Sequence, residues 1–588
     1  MKYAQVFGCA LAVMAAEAQV VKTPQELRAA IASEGANGGV IELAGDDWRF
    51  GVEDVTEMRF FISNHDQSPS HRVNLPIVGC TNLTLRGHGQ TLRFDGRTIG
   101  AFIHGSENIR IENLRFDWTS PALADGVIEK IGDGETIVRL DPVAFPHHFE
   151  LKEDGSYRIM RDYAGGSTPC GPRMLFSGKT HEIIERTGDV GAFNKAKLRP
   201  LADGRFSIGV DCSKIGAGAK VGDIVCIRPD DRRYPAVVVD RSKNVTLEDF
   251  VLHSAQGMGL IAQMSENVAW RGTRPAAEKR SGVFVPEGSG RVTTLHADAT
   301  HFSNVKGEVA VENCWFETMM DDALNVHSTC MAIMEKIDAN RIRCRYIHDQ
   351  AYGFDVFNAG DTLRFIRGKT LENGAEVKVA RVLRPDDREL VLTLAGPVPS
   401  EYGVGDAVEN ATYQSSVDFR GNVVCNNRAR GILLTTPKPC LVENNVFDHV
   451  SGTAILFAGD AQYWYESGAC EDVEISRNVF RNCLTIPYGG CAGIISLDPM
   501  IRDKERQSKP YHSGIRVVDN TFETFDVPLL YALSSKDIVW KGNKVVRNAD
   551  YQGWGKPEFI LEKSYFRENV GAFGVKDEDT ETQKEKKK

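Results

Sequence analysis

Short runs of β-branched and aromatic residues, alternating with polar ones, recur behind an asparagine along this chain. They are "ENLRF" from Glu112, "ENCWF" from Glu312, "GNVV" from Gly421, "ENNVF" from Glu443, "SRNVF" from Ser476, "VDNTF" from Val518 and "GNKV" from Gly542. Alternation with period two predicts short strands, each with one face buried. Asn422 and Asn445 lie 23 residues apart, as do Asn520 and Asn543, while Asn445–Asn478 and Asn478–Asn520 stretch to 33 and 42. A strand-rich repeat of this length, without amphipathic helices, describes the coils of a right-handed parallel β-helix, and the longer intervals describe loops that project from a coil. The asparagines would stack at one corner, where side-chain amides bond to each other and left-handed backbone is tolerated. A β-sandwich is the alternative, but it has no reason to keep a 23-residue period.

Two stretches break the period. Residues 121–233 contain "GVIEKIGDGETIVRL", and residues 331–410 contain "AIMEKIDANRIRCRY". Ile128-Glu129-Lys130-Ile131 matches Met334-Glu335-Lys336-Ile337, and each is followed by a Gly-Asp pair, Gly222-Asp223 and Gly360-Asp361. One small antiparallel β-barrel used twice accounts for this, each copy inserted into the solenoid so as to wall off a binding site. The expected fold is therefore all-β. Helix coils span residues 19–120, 234–330 (holding the candidate catalytic coils) and 411–575, with inserted barrels at 121–233 and 331–410.

At 588 residues the chain exceeds a single globular core, which agrees with a solenoid. A net charge of −10 and the lack of a basic stripe exclude nucleic acid as a partner. The first residues, with Lys2, an apolar run and Ala16-Glu17-Ala18, read as a secretion signal cleaved after Ala18, and Cys9 sits too early in the run for lipid attachment. No later segment is apolar enough to span a membrane. The expected location is periplasmic, secreted or cell-surface. The signal carries one of the 13 cysteines; the rest form no C-x-x-C pair, which argues against a thiolate metal site and for small core residues. Residues 576–588 read as a charged, disordered tail. The oligomeric state is not legible.

The chemistry concentrates in "FETMMDDALNVHST", residues 316–329. In a flat strand Asp321 and Asp322 would point to opposite faces, so a strand end or bulge is expected. Asp298 lies 23 residues upstream of Asp321, one period, which puts it on the adjacent rung. Three crowded acids raise each other's pKa, and acid–base catalysis exploits this. A calcium site or a solvated acidic corner is the plain alternative, although the surroundings are too apolar for a typical calcium loop.

An aspartate followed one coil later by an Asp-Asp pair resembles the inverting glycoside hydrolases built on parallel β-helices, including polygalacturonases, in which acid and base stand roughly 6.5–9.5 Å apart. That likeness fails downstream: the Gly-His-Gly here, Gly87 to Gly89, precedes the pair instead of following it. Read together, "TLHADATHFSN", "MMDDALNVHST", "GFDVFNAGDTLRF", "RARGILLTTPKPCLVENN" and "GTAILFAGDAQYWYESGACEDV" resemble the bacterial exo-α-1,3-galactosidases of glycoside hydrolase family 110 over nearly the whole mature chain. The resemblance implies a metal- and cofactor-free enzyme. It would remove terminal α-1,3-linked galactose with inversion from glycans such as blood group B-type or linear Galα1,3Gal structures. It makes Asp321 the general acid, with Asp298 and Asp322 activating water. Trp464 fits an aromatic platform or the core. Asp460, Glu466 and Arg430 fit hydroxyl partners, Arg430 equally a structural ion pair. His296, His301 and His327 fit carboxylate orientation, sugar contact or plain structure. Two other readings share the fold: a uronic-acid depolymerase, which needs a basic subsite where the sequence near the aspartates shows few Lys or Arg, and a non-catalytic glycan-binding adhesin.

Overall fold

A computed structural model describes residues 18–189, 191–486, 488 and 490–554, together with the strands Tyr565–Glu568 and Val575–Asp577. The expected signal, apart from Ala18, and the charged tail beyond Asp577 lie outside the described residues.

The chain winds into a right-handed parallel β-helix with two inserted antiparallel β-barrels. Three parallel sheets wrap one apolar core. The first runs from Gln19–Val21 to Val575–Asp577, the second from Trp48–Phe50 to Lys544–Arg547, and the third from Ser70–Val78 to Tyr565–Glu568. Strands of the first sheet bury alternate residues: in Lys243–Glu248, "KNVTLE", Val245 and Leu247 face inward. In contrast, Val237–Asp240, Leu260–Gln263 and Thr300–Ser303 of the third sheet are buried on both faces. The segment at residues 58–65 covers those strands: Phe60 and Ile62 pack with Val238 and Ile261, and Gln263 bonds the backbone of Phe61 and Ser63. An α-helix, Pro24–Glu34, was not foreseen; Thr23 caps it, and Leu27, Ala30 and Ile31 close the core at the first coil.

Asparagines form two ladders. The inner one is Asn422, Asn445, Asn478 and Asn520, all buried, and the half-buried Asn543: each Oδ1 beyond Asn422 accepts the backbone N–H of the preceding member at 2.8–3.0 Å, and each Nδ2 donates to a core-strand carbonyl. Asn113 and Asn313 do not belong to it; they occupy the left-handed corner one residue earlier, at φ 53° and 55°. Gly421, Asn444, Arg477, Asp519 and Gly542 take that corner in later coils. A second, outer ladder joins Asn82, Asn108, Asn244 and Asn267, all in left-handed conformation, through amide bonds of 2.7–2.9 Å.

The first insertion carries an antiparallel sheet between Ala124–Gly132 and Ile224–Pro229, and the second lies between Arg341–Arg345 and Ala407–Asn410. Their equivalence is exact in hydrogen bonding but differs from the expected pairing of Gly-Asp motifs. Asp223 Oδ1 accepts from Gly178 N, and Asp406 Oδ1 accepts from Gly368 N, inside the matching segments "SGKT" and "RGKT". The counterpart of Gly222-Asp223 is thus Gly405-Asp406, not Gly360-Asp361. The second barrel is continuous with the helix through one strand, Leu324–Lys336: its first residues pair in parallel with Thr300–Ser303, and its last pair antiparallel with Arg341–Arg345. The twelve cysteines of the described residues are buried and unpaired.

Asn478→Ala removes two donors and the acceptor that serves Asn445. The expected loss is about 1–3 kcal/mol, read as a lower calorimetric unfolding temperature; an unchanged temperature would mean the ladder is ornamental.

Candidate active site

Asp321 and Asp322 lie in the corner that precedes Leu324–Lys336, as a strand end requires. Register corrects the expected pairing. Thr300 pairs with Leu324, and Ala299 N donates to Asp322 O, so the rung neighbour of Asp298 is Asp322, 24 residues away. One carboxylate oxygen from each of Asp298, Asp321 and Asp322 nevertheless lies within 4.8 Å of the others. The next coil holds Arg430 at the same level: its backbone N–H and Nη2 donate to the two oxygens of Asp322, at 3.2 and 2.7 Å.

The trio sits beside a pocket of about 630 Å³, within the usual range for small-molecule sites. A wider cavity of about 830 Å³ opens beneath residues 284–291 on the second sheet, but it contains no member of the trio. The pocket floor is a column of the third sheet, His301, Asn325, Leu433 and Leu456, at one register position in successive coils. Asp298 and Asp321 face the pocket; Asp322 does not, and its side chain is fully buried.

Charge is distributed unevenly. Burial alone would raise the Asp321 carboxyl, but Arg428, Arg430, Arg232 and Arg228 together hold it below its usual range. Arg428 stands 3.4 Å away, Arg430 3.8 Å and Arg232 4.0 Å. Burial, reinforced by Asp321, pushes Asp298 well above the ordinary carboxylate range. Burial does the same to Asp322 despite Arg430. Burial and the Arg428 charge bring Arg228 down to about 10. The surroundings thus favour the charged form of Asp321 and the protonated form of Asp298 and Asp322, the reverse of what a general acid resting at Asp321 would need. The trio is also the donor set a metal ion would use, but four guanidinium groups around Asp321 oppose a divalent cation there.

The other expected residues divide. His301 lines the pocket, and its Nδ1 meets Asp298 Oδ2 at 2.6 Å. His327 lies behind His301, joined to it at 2.8 Å. Glu466 faces the pocket and accepts from Asn64 Nδ2 at 2.7 Å; burial would raise its carboxyl, but Arg430 and the Asn64 bond help to hold it below its usual range. Asp460 borders the pocket, yet its oxygens are taken by the backbone N–H groups of Gln462, Tyr463, Trp464 and Tyr465, so it shapes the loop instead of meeting hydroxyls. Trp464 has one face stacked on His348 of the second insertion, centroids 3.9 Å apart, and Arg232 lies 5.8 Å from its ring. The free aromatic surface belongs to Tyr463, 58% exposed, which was not expected. His296 is buried outside the pocket lining, and its Nδ1 has no partner among the described residues.

Sequence reasoning also missed Arg232, Arg428, Asn64 and Asp189. Asp189, in the first insertion, binds both Arg428 Nε and Nη2. The aspartates are thus ringed by arginines, contrary to the reading of few basic residues nearby. Only Arg428 carried a signal, standing two residues before Arg430 in "RARG".

Fold and site together define a parallel β-helix protein with two inserted barrels and an acid–arginine pocket on the helix. The family GLAA-B beta-barrel domain II matches residues 341–408. The chain is 40% identical to Alpha-1,3-galactosidase B of Akkermansia muciniphila over 91% of its own length, spanning 65% of that relative. It is 34% identical to Alpha-1,3-galactosidase B of Bacteroides fragilis, covering 89% of the chain and 88% of the relative, and 32% identical to Alpha-1,3-galactosidase A of Bacteroides fragilis, covering 87% and 82%. Among solved structures, the A-module of Azotobacter vinelandii mannuronan C-5 epimerase AlgE4 aligns at TM-score 0.38 with 10% identity, covering 95% of this chain and 100% of that one. The chain belongs to the α-1,3-galactosidase family.

Linkage gives the sign of a stability test. A carboxyl raised in the folded state is a source of stability at low pH that is lost as pH rises through its folded pKa. Asp298→Asn mimics the neutral acid, so its unfolding temperature should exceed the wild-type value by a margin that widens from pH 5 to pH 8. A margin independent of pH would show that Asp298 ionises as freely in the native state as in the unfolded chain.

Proposed function

We propose that the protein is a secreted, exo-acting hydrolase that removes terminal α-1,3-linked galactose from glycans such as blood group B-type or linear Galα1,3Gal ends, with inversion. The observation that carries this reading is the carboxylate trio with two members, Asp298 and Asp321, facing a pocket of monosaccharide-binding character. Family membership supports the substrate class, since the relatives bear the name α-1,3-galactosidase. Tyr463 offers an apolar surface to the galactose ring, and Glu466, Asn325 and Asn64 offer polar partners to its hydroxyls. The secretion signal read in residues 1–18 supports action outside the cytoplasm.

In this reading galactose strips water from Asp321, which raises its proton affinity, and the proton held by Asp322 passes to it across the trio. Asp322 is then left as a carboxylate clamped by Arg430. Asp321 protonates the glycosidic oxygen while a water held at Asp298 attacks the anomeric carbon. The trio is tighter than the roughly 6.5–9.5 Å typical of inverting pairs. Water is favoured as nucleophile because Asp322 is committed to Arg430 away from the pocket and Asp298, which faces it, is held through Oδ2 by His301, leaving Oδ1 to meet a water. A uronic-acid depolymerase would need guanidinium groups free for substrate carboxylates, whereas Arg428 and Arg430 are committed to Asp189, Asp321 and Asp322. An adhesin would have no use for crowded, proton-bearing acids.

The test follows anomeric protons by NMR on a Galα1,3Gal glycoside, with α-galactosyl fluoride as a second substrate whose leaving group needs no acid. Initial β-galactose is expected. Asp321→Asn should lose about 10³-fold on the glycoside and far less on the fluoride, while Asp298→Asn loses on both. Initial α-galactose would replace inversion with a covalent mechanism, and fluoride rescue of Asp298→Asn in place of Asp321→Asn would exchange the two roles.

A further inference from the structure

Asp298 presents a difficulty for the proposed reaction: burial favours a proton on its carboxyl, and a carboxyl that carries one cannot take another from water. Its hydrogen-bond partners resolve it. His327 Nδ1 lies 3.1 Å from the carbonyl of Ser328, which only accepts, so Nδ1 of His327 bears a hydrogen. With that as its one ring hydrogen, the other nitrogen of His327, Nε2, is an acceptor, and it faces His301 Nε2 at 2.8 Å. His301 must therefore donate from Nε2. If His301 is neutral, its Nδ1 is a bare lone pair, 2.6 Å from Asp298 Oδ2, and the hydrogen of that contact belongs to Asp298. One proton thus sits in a short bond between two groups, with Oδ2 and Nδ1 as its alternative holders.

We infer that His301 is a positioning residue that stores a proton: as Asp298 Oδ1 takes the proton of the attacking water, the Oδ2 proton moves to His301 Nδ1. This rests on the hydrolase reading above. The balance closes. The water O–H bond breaks as the O–C1 bond forms and the C1–O bond to the leaving group breaks; Oδ1–H forms, Oδ2–H breaks, and Nδ1–H forms. Asp321 has given its proton to the leaving oxygen. After product release the imidazolium returns its proton to Oδ2, the Oδ1 proton returns to Asp322, and the site is reset without any outside acid or base.

The surroundings fit a transient charge on His301. Burial, with Arg232 adding to it, holds the His301 imidazole well below its usual range, whereas Glu466 and Asp321 act in the opposite direction. Glu466 Oε1 lies 3.7 Å from His327 Nε2, so a carboxylate stands at the far end of the relay when the imidazolium forms. The remaining titratable neighbour, His65, is itself kept neutral by burial and by Arg232. In this assignment His301 has a stated hydrogen at each step, and His327 serves to fix its tautomer, as the partner of a catalytic imidazole does.

Two measurements on the full chain decide it. The first is the ¹⁵N spectrum of histidine-labelled, substrate-free enzyme between pH 6 and 8, with His301 assigned by its disappearance in His301→Gln. A neutral imidazole protonated at Nε2 is expected; an Nδ1–H tautomer or a resting imidazolium overturns the inference. This reading is taken on the empty wild-type chain, so it stands whether or not α-1,3-galactosides are the substrate and whether or not the variant folds well. The second is kinetics of His301→Gln. A kcat loss of about 10²-fold, equal on the glycoside and on α-galactosyl fluoride and with KM kept within twofold, is expected, because the proton of water must be accepted for both substrates. Retained kcat, or a loss confined to KM, overturns it. If the wild type released galactose from neither substrate, the proposed function would fall, and the tautomer would remain the independent measure of where the proton lies.

Discussion

The structure depends on compensating three carboxylates at one corner of a β-helix. Asp298, Asp321 and Asp322 cannot all ionise within 4.8 Å of one another in a buried setting. The chain meets this in two ways at once. Guanidinium groups favour the charge on Asp321, and burial favours protons on its two neighbours. A site arranged so holds both an ionised and a protonated carboxyl at neutral pH, and that is the requirement of acid–base chemistry.

The insertions follow from the same constraint. A bare solenoid offers only side chains of successive coils, and these supply Asp298, Asp322 and Arg430 at one level. The rest comes from elsewhere. The first insertion supplies Asp189, which anchors Arg428 from behind, and Arg232 stands where that insertion rejoins the helix. The second supplies His348, which fixes Trp464 beside the pocket. Because Leu324–Lys336 runs unbroken from the catalytic corner into the second barrel, the barrel is held to the site by a continuous ladder and not by a hinge.

Much of this was legible in the chain. The period of 23, the alternation within strands and the recurrence of asparagine follow from coil geometry, and the inner ladder from Asn422 to Asn543 realises them. The Asp trio was legible because one coil separates its members. What misled was a single residue of register: counting 23 residues pairs Asp298 with Asp321, but the coil at the site takes 24, which pairs it with Asp322. Arg430 was legible, but Arg232 and the anchoring of Arg428 were not, since Arg232 and the Asp189 that positions Arg428 come from an insertion whose docking leaves no periodic trace. Asp460 and Trp464 were read from a conspicuous motif, yet a conspicuous loop first has to hold its own shape. Four backbone N–H groups on Asp460 and a histidine on Trp464 accomplish that.

The most direct test of the charge arrangement is neutron diffraction from deuterium-exchanged crystals of the substrate-free protein at neutral pH. The account predicts a deuteron on Asp298 Oδ2 directed at His301 Nδ1, a deuteron on Asp322, and none on Asp321. A deuteron on Asp321 with Asp298 bare would contradict it, because the arginines would then not be what sets the protonation of the site.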